Sequence, residues 1–125
     1  MESSQNVLVI EDDPDLAEMM TWILTAAGFA VTTVFNGFAG LAALERLPGC
    51  LVVLDLMMPG LDGIEFRARQ RQNPTVLHAP VLMVSAHHDA AQVAARLQVD
   101  GFLQKPFMPD DLVKAVKRLT RLIAS

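Results

Sequence analysis

Hydrophobic residues along the chain fall into two patterns that take turns. Val7-Leu8-Val9-Ile10, Leu51-Val52-Val53-Leu54 and Val81-Leu82-Met83-Val84 are unbroken apolar runs, the pattern of strands buried on both faces in the centre of a parallel sheet. Ala30 to Val34 is interrupted by Thr32 and Thr33, which suits an outer strand, and Gly101-Phe102-Leu103 reads as the last strand. Between these runs apolar residues recur at helical spacing. Asp13 caps and Pro14 opens a helix striped by Leu16, Met19, Met20, Ile23, Leu24 and Ala27, and Gly28 ends it. Phe38, Leu41, Leu44 and Leu47 stripe a second helix closed by Pro48-Gly49. The turn Pro59-Gly60-Leu61-Asp62-Gly63 leads into a third from about Ile64 to Gln72, which Asn73-Pro74 breaks. Ala86 to Leu97 reads as a weakly amphipathic helix with mostly alanine in place of leucine; it buries little area and should shift more easily than its neighbours. Leu112, Val116, Leu119 and Ile123 define the last helix, with Asp110 and Asp111 in its first turn and Lys117, Arg118 and Arg121 near its end, the charge order that the helix dipole favours.

Repeated strand and helix with short connections predict right-handed crossovers and a doubly wound, mainly parallel α/β sheet of five strands. All strands then point the same way, and ligands bind outside their carboxyl ends. Four of these strands lead to a polar or ionisable group at that rim: Glu11 and Asp12 after the first, Asp55 after the third, Ser85 after the fourth and Lys105 after the fifth.

Composition narrows the class. A chain of 125 residues with no linker, repeat or low-complexity block reads as a single domain, 1–125, able to bury about two-thirds of its unfolded surface. With 52% hydrophobic and 19% charged residues it reads as a packed globule. A net charge of −4 argues against direct nucleic-acid binding by bulk electrostatics. Cys50 is the single cysteine, so a reducing compartment is the easier home. The apolar runs are too short to span a membrane, and Met1-Glu2-Ser3-Ser4 lacks a signal-peptide layout. The expected location is the cytoplasm.

Carboxylates gathered at one rim repel by roughly 4 kcal/mol per pair at an effective dielectric of 20, and a divalent cation offsets this. Oxygen ligands without histidine or cysteine favour Mg²⁺, with Mn²⁺ as an alternative. Lys105 adds a second positive charge and Ser85 a hydroxyl. Carboxylate, Mg²⁺, lysine and hydroxyl together describe a phosphoryl site in which an aspartate is the nucleophile.

These residues resemble the receiver domains of two-component response regulators, related in fold to the chemotaxis regulator CheY. The resemblance covers essentially the whole chain. It is carried by the pair Glu11-Asp12, the segment from Asp55 through Met57, Met58, Pro59, Gly60 and Asp62 to Gly63, then Ser85-Ala86, and Lys105-Pro106-Phe107. It implies a flavodoxin-like (βα)5 fold with strand order 2-1-3-4-5. It implies that Asp55 accepts a phosphoryl group from a histidine kinase or histidine phosphotransfer protein, so that the protein catalyses its own phosphorylation and dephosphorylation without a turnover substrate. Asp12, Asp55 and the Met57 backbone carbonyl would ligate Mg²⁺, with Glu11 acting through water; Lys105 and Ser85 would hold phosphoryl oxygens. Ser85 and Phe102 would form a switch that remodels the surface of the fourth helix, fifth strand and fifth helix. That surface would control a partner or output domain, or a phosphorylation-dependent dimer. Phe102 has no hydroxyl, so its coupling would rest on packing. The family's Lys-Pro bond is usually cis, which predicts cis at Lys105-Pro106 against a base rate of about 5–6%.

Each residue also has a plainer reading. A lone aspartate after a strand is usually a turn or cap residue, and Asp13 is read as a cap only. Ser85 and Lys105 taken singly are a strand-end hydroxyl and a solvated charge. His78, His87 and His88 invite a metal or histidine-phosphate reading, but adjacent histidines cannot share one helical face, so His87-His88 read as loop or first-turn residues. His87, two residues past Ser85, could still influence phosphoryl hydrolysis. Trp22 lies off its helix stripe, as an isolated exposed aromatic or as a contact for a phosphodonor helix. A haloacid dehalogenase-like phosphatase needs a second aspartate where Met57 stands. A flavodoxin-like carrier needs a phosphate loop where this chain has acids, and no nucleophile elbow supports a serine hydrolase. A pseudo-receiver that binds a partner without phosphorylation is the alternative reading.

Overall fold

The computed structural model describes residues 5–58 and 60–124. The signal-peptide reading of Met1–Ser4 and the part of Pro59 in the turn signal lie outside the described residues. In chain order the elements are β1 (Asn6–Ile10), α1 (Pro14–Ala26), β2 (Ala30–Val34), α2 (Gly37–Arg46), β3 (Leu51–Asp55), α3 (Gly63–Arg71), β4 (Val81–Ser85), α4 (Ala90–Leu97), β5 (Gly101–Gln104) and α5 (Pro109–Ala124). The strands form one five-stranded sheet in the order β2-β1-β3-β4-β5, and every neighbouring pair is parallel. This is the doubly wound α/β topology expected from the alternation of runs.

The sheet has a core on each side because successive strand residues point to opposite faces. Leu8, Ile10, Val52, Leu54, Val81 and Met83 pack on one face with Phe66 of α3 and Ala90 and Ala94 of α4. Val7, Val9, Leu51, Val53, Leu82 and Val84 pack on the other with Met20 and Leu24 of α1 and Leu112, Val116 and Leu119 of α5. All residues of β3 and β4 are buried, whereas β2 is half-exposed at the sheet edge. Cys50 is buried at the start of β3, and burial pushes its thiol up to about 11, which keeps it protonated and unreactive.

The helix caps follow the sequence. Asp13 accepts hydrogen bonds from the Asp15 and Leu16 N–H groups, and Asp62 caps α3 through the Glu65 N–H at 2.9 Å. Three expectations need correction. On α1, Ala17, Met20 and Leu24 are buried and Leu16 and Ile23 pack partly buried against the same core, but Met19 of the predicted stripe is exposed. On α2, Gly37, Gly40, Ala43 and Leu44 are buried and Leu41 and Leu47 pack partly buried beside them, while Phe38 points out and lies under the Arg69 guanidinium. The reason is proximity, since a Cβ on Gly40 would lie 2.4 Å from Ile10 Cδ1 and one on Gly37 2.7 Å from the Leu61 carbonyl oxygen. Finally, Ala86–Asp89 is not helical, and α4 begins at Ala90. There the chain turns through side-chain bonds, with the His87 N–H donating to Ser85 Oγ and the Asp89 N–H to His87 Nδ1. These replace the helical ladder.

Among the described residues no helix is long and apolar enough to cross a membrane.

Candidate functional site

The site is built where β1, β3, β4 and β5 end together. Glu11 follows β1 directly, and its backbone N–H continues the sheet by donating to the Val34 carbonyl at 3.1 Å. Its side chain is 1% exposed. Glu11 Oε2 accepts the Asp13 N–H at 3.1 Å, and Oε1 accepts Lys105 Nζ at 3.0 Å. Asp12, the next residue, is half-exposed.

Asp55 closes β3 and is buried. The β3–β4 register pairs it with Val84, and the following Leu56 N–H bonds the Val84 carbonyl at 3.0 Å. Asp55 Oδ1 accepts the Met57 N–H at 3.2 Å, while Oδ2 faces Lys105 Nζ at 3.5 Å. The loop after Asp55 is braced by Gly63. Its N–H donates to the Leu56 carbonyl at 2.9 Å, and a Cβ there would lie 2.9 Å from Leu56 Cα. A glycine is therefore needed for α3 to start so close to the strand end.

Ser85 ends β4 fully buried, and its Oγ accepts the His87 N–H at 3.0 Å. Its carbonyl accepts the Lys105 N–H at 2.9 Å, which carries the β4–β5 pairing one residue past Gln104. The Lys105–Pro106 peptide is cis. Phe102 lies opposite Met83, half-buried against the same face of the core as α4. Met57 is exposed at the mouth of the site.

Glu11, Asp12 and Asp55 bring carboxylate oxygens within 4.8 Å of one another. Burial lifts the Glu11 carboxyl to about 7, against the lowering effects of the Asp13 N–H and Lys105. Burial also raises the Asp55 carboxyl, opposed first by the Lys105 charge. Desolvation thus outweighs the single ammonium, and the cluster has more negative charge than its protein partners offset. An all-oxygen donor set under that electrostatic demand fits a hard divalent cation.

Two features of this region had little sequence signal. Lys105 reaches Glu11 more closely than Asp55, a pairing across the sheet that linear spacing does not encode. Arg67 and Gln70 are buried on α3. The Arg67 guanidinium donates to the Leu97 and Gln98 carbonyls at 3.2 and 2.8 Å and to Gln70 Oε1 at 2.7 Å, tying α3 to the carboxyl end of α4. The polar appearance of both residues conceals their burial; their spacing on α3 three apart is the one hint.

A doubly wound parallel sheet that ends in an aspartate-centred carboxylate cluster with a lysine beside it defines a class of signalling domains. Residues 7–117 match the response regulator receiver domain family, and the chain belongs to it as a two-component signal-transduction module. It is 38% identical over 119 residues to the DNA-binding response regulator MtrA of Mycolicibacterium smegmatis, a match covering 94% of this chain and 51% of MtrA. The chain thus spans about half the length of the curated relatives it matches. Among solved structures it resembles a putative response regulator from Chloroflexus aurantiacus, with TM-score 0.84, 31% identity and coverage of 98% of this chain and 100% of that one. It also resembles the chemotaxis protein CheY4 of Vibrio cholerae, with TM-score 0.85, 27% identity and coverage of 94% and 99%.

Proposed function

We propose that the chain, as one receiver domain over residues 1–125, is a switch controlled by phosphorylation of Asp55. The observation that carries this reading is the convergence of Asp55 with Glu11, Asp12 and the Lys105 ammonium at the carboxyl end of the sheet. The donor is a phosphohistidine on a histidine kinase or histidine phosphotransfer protein. A carboxylate oxygen of Asp55 forms the new O–P bond as the N–P bond breaks; the imidazole leaves with the bonding pair and takes a proton from solvent. Hydrolysis of the acyl phosphate by water returns the carboxylate and releases inorganic phosphate, so the protein carries out its own phosphorylation and dephosphorylation without a turnover substrate.

Asp12, Asp55 and the Met57 carbonyl would hold Mg²⁺, or Mn²⁺, with Glu11 acting through water. The ion supplies positive charge that offsets the carboxylates and the incoming phosphoryl oxygens. Lys105, already shared between Glu11 and Asp55, moves its ammonium onto a phosphoryl oxygen. Ser85 turns its hydroxyl from the His87 N–H toward another. Phe102 then follows into the space near Ser85 by packing alone, and the surface of α4, β5 and α5 changes. That α4 buries only Ala90 and Ala94 and has no side-chain bond at its amino-terminal cap supports this region as the movable part.

The changed surface acts on a partner, an output domain or a second copy of the chain. The DNA-binding character of MtrA favours a DNA-binding output, with the acidic receiver itself, at net charge −4, making no nucleic-acid contact. The module works in the cytoplasm. Incubation with acetyl phosphate and Mg²⁺ followed by intact mass tests the reading. A gain of one phosphoryl group that disappears with EDTA supports it; a protein that stays unmodified, also with a cognate kinase, is a pseudo-receiver.

A further inference from the structure

The loop between β4 and α4 carries a second group of metal-ligand type, of different chemistry from the carboxylate cluster. His87, His88 and Asp89 are all exposed and offer ligand atoms within 4.8 Å of one another. The two imidazoles stack, with ring centroids 4.6 Å apart and an interplanar angle of 20°. His88 Nε2 lies 3.2 Å from Asp89 Oδ2. Asp89 stands at the amino-terminal cap of α4 yet makes no side-chain cap bond. A cap aspartate normally accepts a backbone N–H from the first turn of its helix. Here that carboxylate is turned toward His88 instead.

The geometry points to a binding site for a borderline divalent metal ion of the Zn²⁺ type, held by His87, His88 and Asp89. Zinc binds imidazole nitrogen and carboxylate oxygen at about 2.0–2.2 Å, so two tetrahedral ligands stand roughly 3.3 Å apart. The His88 Nε2 to Asp89 Oδ2 separation of 3.2 Å already meets that spacing. An ion seated between them takes the imidazole nitrogen and the carboxylate oxygen as ligands in place of their mutual contact. His87 supplies the third donor. Its Nδ1 now accepts the Asp89 N–H at 3.1 Å, and coordination exchanges that hydrogen bond for a metal bond. The candidate ligand atoms lie within 4.8 Å of one another on exposed side chains, and closing to ligand spacing turns the two imidazoles out of their stack. Water completes the coordination.

Two imidazoles and one carboxylate select Zn²⁺, Ni²⁺ or Cu²⁺ over Mg²⁺, whereas the oxygen-only cluster at Asp55 has the opposite preference. The two sites can therefore be filled independently. The loop site is also joined to the strand end, because the His87 N–H bonds Ser85 Oγ. A bound ion fixes the loop that contacts this hydroxyl, and so gives the domain an input separate from phosphorylation. Binding itself does not depend on the chemistry of Asp55.

The test is calorimetric titration of the full chain with Zn²⁺ at neutral pH in a large excess of Mg²⁺, which keeps the carboxylate cluster occupied. One Zn²⁺ per chain is expected, with affinity lowered at least tenfold by His88→Ala and by His87→Ala, several-fold by Asp89→Asn, and unchanged by His78→Ala. Histidine ring resonances provide a second readout: those of His87 and His88 should shift on Zn²⁺ addition and that of His78 should not. Absence of binding, binding that survives loss of both His87 and His88, or binding abolished by Mg²⁺ overturns the proposal.

Discussion

Lys105 Nζ stands 3.0 Å from Glu11 Oε1 and 3.5 Å from Asp55 Oδ2, so one ammonium bridges the carboxylates that follow β1 and end β3. The lysine comes from beyond β5, two strands away from Asp55 in the sheet order. It is the protein's own counter-charge to a cluster that burial makes costly. Replacing it with the apolar Lys105→Met leaves Glu11 without its cation. With Glu11 almost fully buried and Lys105 partly exposed, we expect a loss of about 2 kcal/mol at pH 8, checked by urea unfolding without metal. The loss should shrink at pH 5, where a proton on Glu11 replaces the missing charge.

The same burial makes metal-free stability depend on pH. The Glu11 carboxyl is raised in the folded state from 4.5 to about 7. Between those values the folded protein keeps a proton that the unfolded chain has lost. Stability is therefore greatest below pH 4.5 as far as this group is concerned, and falls as pH rises toward 7, where the folded carboxyl also ionises. The raised Asp55 carboxyl acts in the same direction. Thermal melts in EDTA should show a lower midpoint at pH 8 than at pH 5.5, and added Mg²⁺ should raise the midpoint more at pH 8. An equal effect of Mg²⁺ at both values would separate the ion from these carboxylates.

Gly63 makes a prediction about the loop rather than the charges. A Cβ at this position would meet Leu56 Cα at 2.9 Å and the Leu56 carbonyl oxygen at 3.1 Å, both backbone atoms that cannot rotate away. Gly63→Ala should cost about 1–3 kcal/mol through forced backbone displacement. Because the displaced segment begins one residue after Asp55, acetyl-phosphate labelling should slow as well. Stability and labelling rate measured on the same variant check both parts.

Arg67 holds the carboxyl end of α4 through the Leu97 and Gln98 carbonyls. Arg71 adds contacts to the Leu97 carbonyl and Gln98 Oε1 at 3.5 and 3.0 Å. Arg67→Ala removes a buried donor from three acceptors, one of them the side chain of buried Gln70. A loss of about 2–4 kcal/mol is expected, with faster amide exchange in the last turn of α4. The exposed Arg71→Ala should produce a smaller change of the same kind.

The fold was legible because the central strands are apolar on both faces, and such runs admit few other readings. Asp13 marks the start of α1 by chemistry that acts within three residues, and the structure places its side chain on the Asp15 and Leu16 N–H groups. Where distance in the chain grew, legibility fell. The outward turn of Phe38 follows from Gly40 approaching Ile10, a contact between elements that periodicity does not see. The end of β4 misled for another reason: Ala86–Asp89 has helical propensity, but Ser85 Oγ and His87 Nδ1 capture the backbone N–H groups first. Among the candidate site residues, Glu11, Asp12, Asp55 and Lys105 do meet, because parallel strands of similar length deliver their ends to one rim. The bridge from Lys105 to Glu11 depends on side-chain reach across that rim and had no counterpart in the sequence pattern.

Phosphorylation of Asp55 leaves an acyl phosphate, a group that borohydride can reduce. Borohydride treatment of the acetyl-phosphate-treated protein converts an aspartyl phosphate to homoserine, and peptide mass mapping then locates it. Homoserine is expected at position 55, dependent on Mg²⁺, with no reduction product in Asp55→Asn. A modification that maps to Ser85 or His87, or a wild-type protein with no reducible group, would contradict phosphorylation of Asp55.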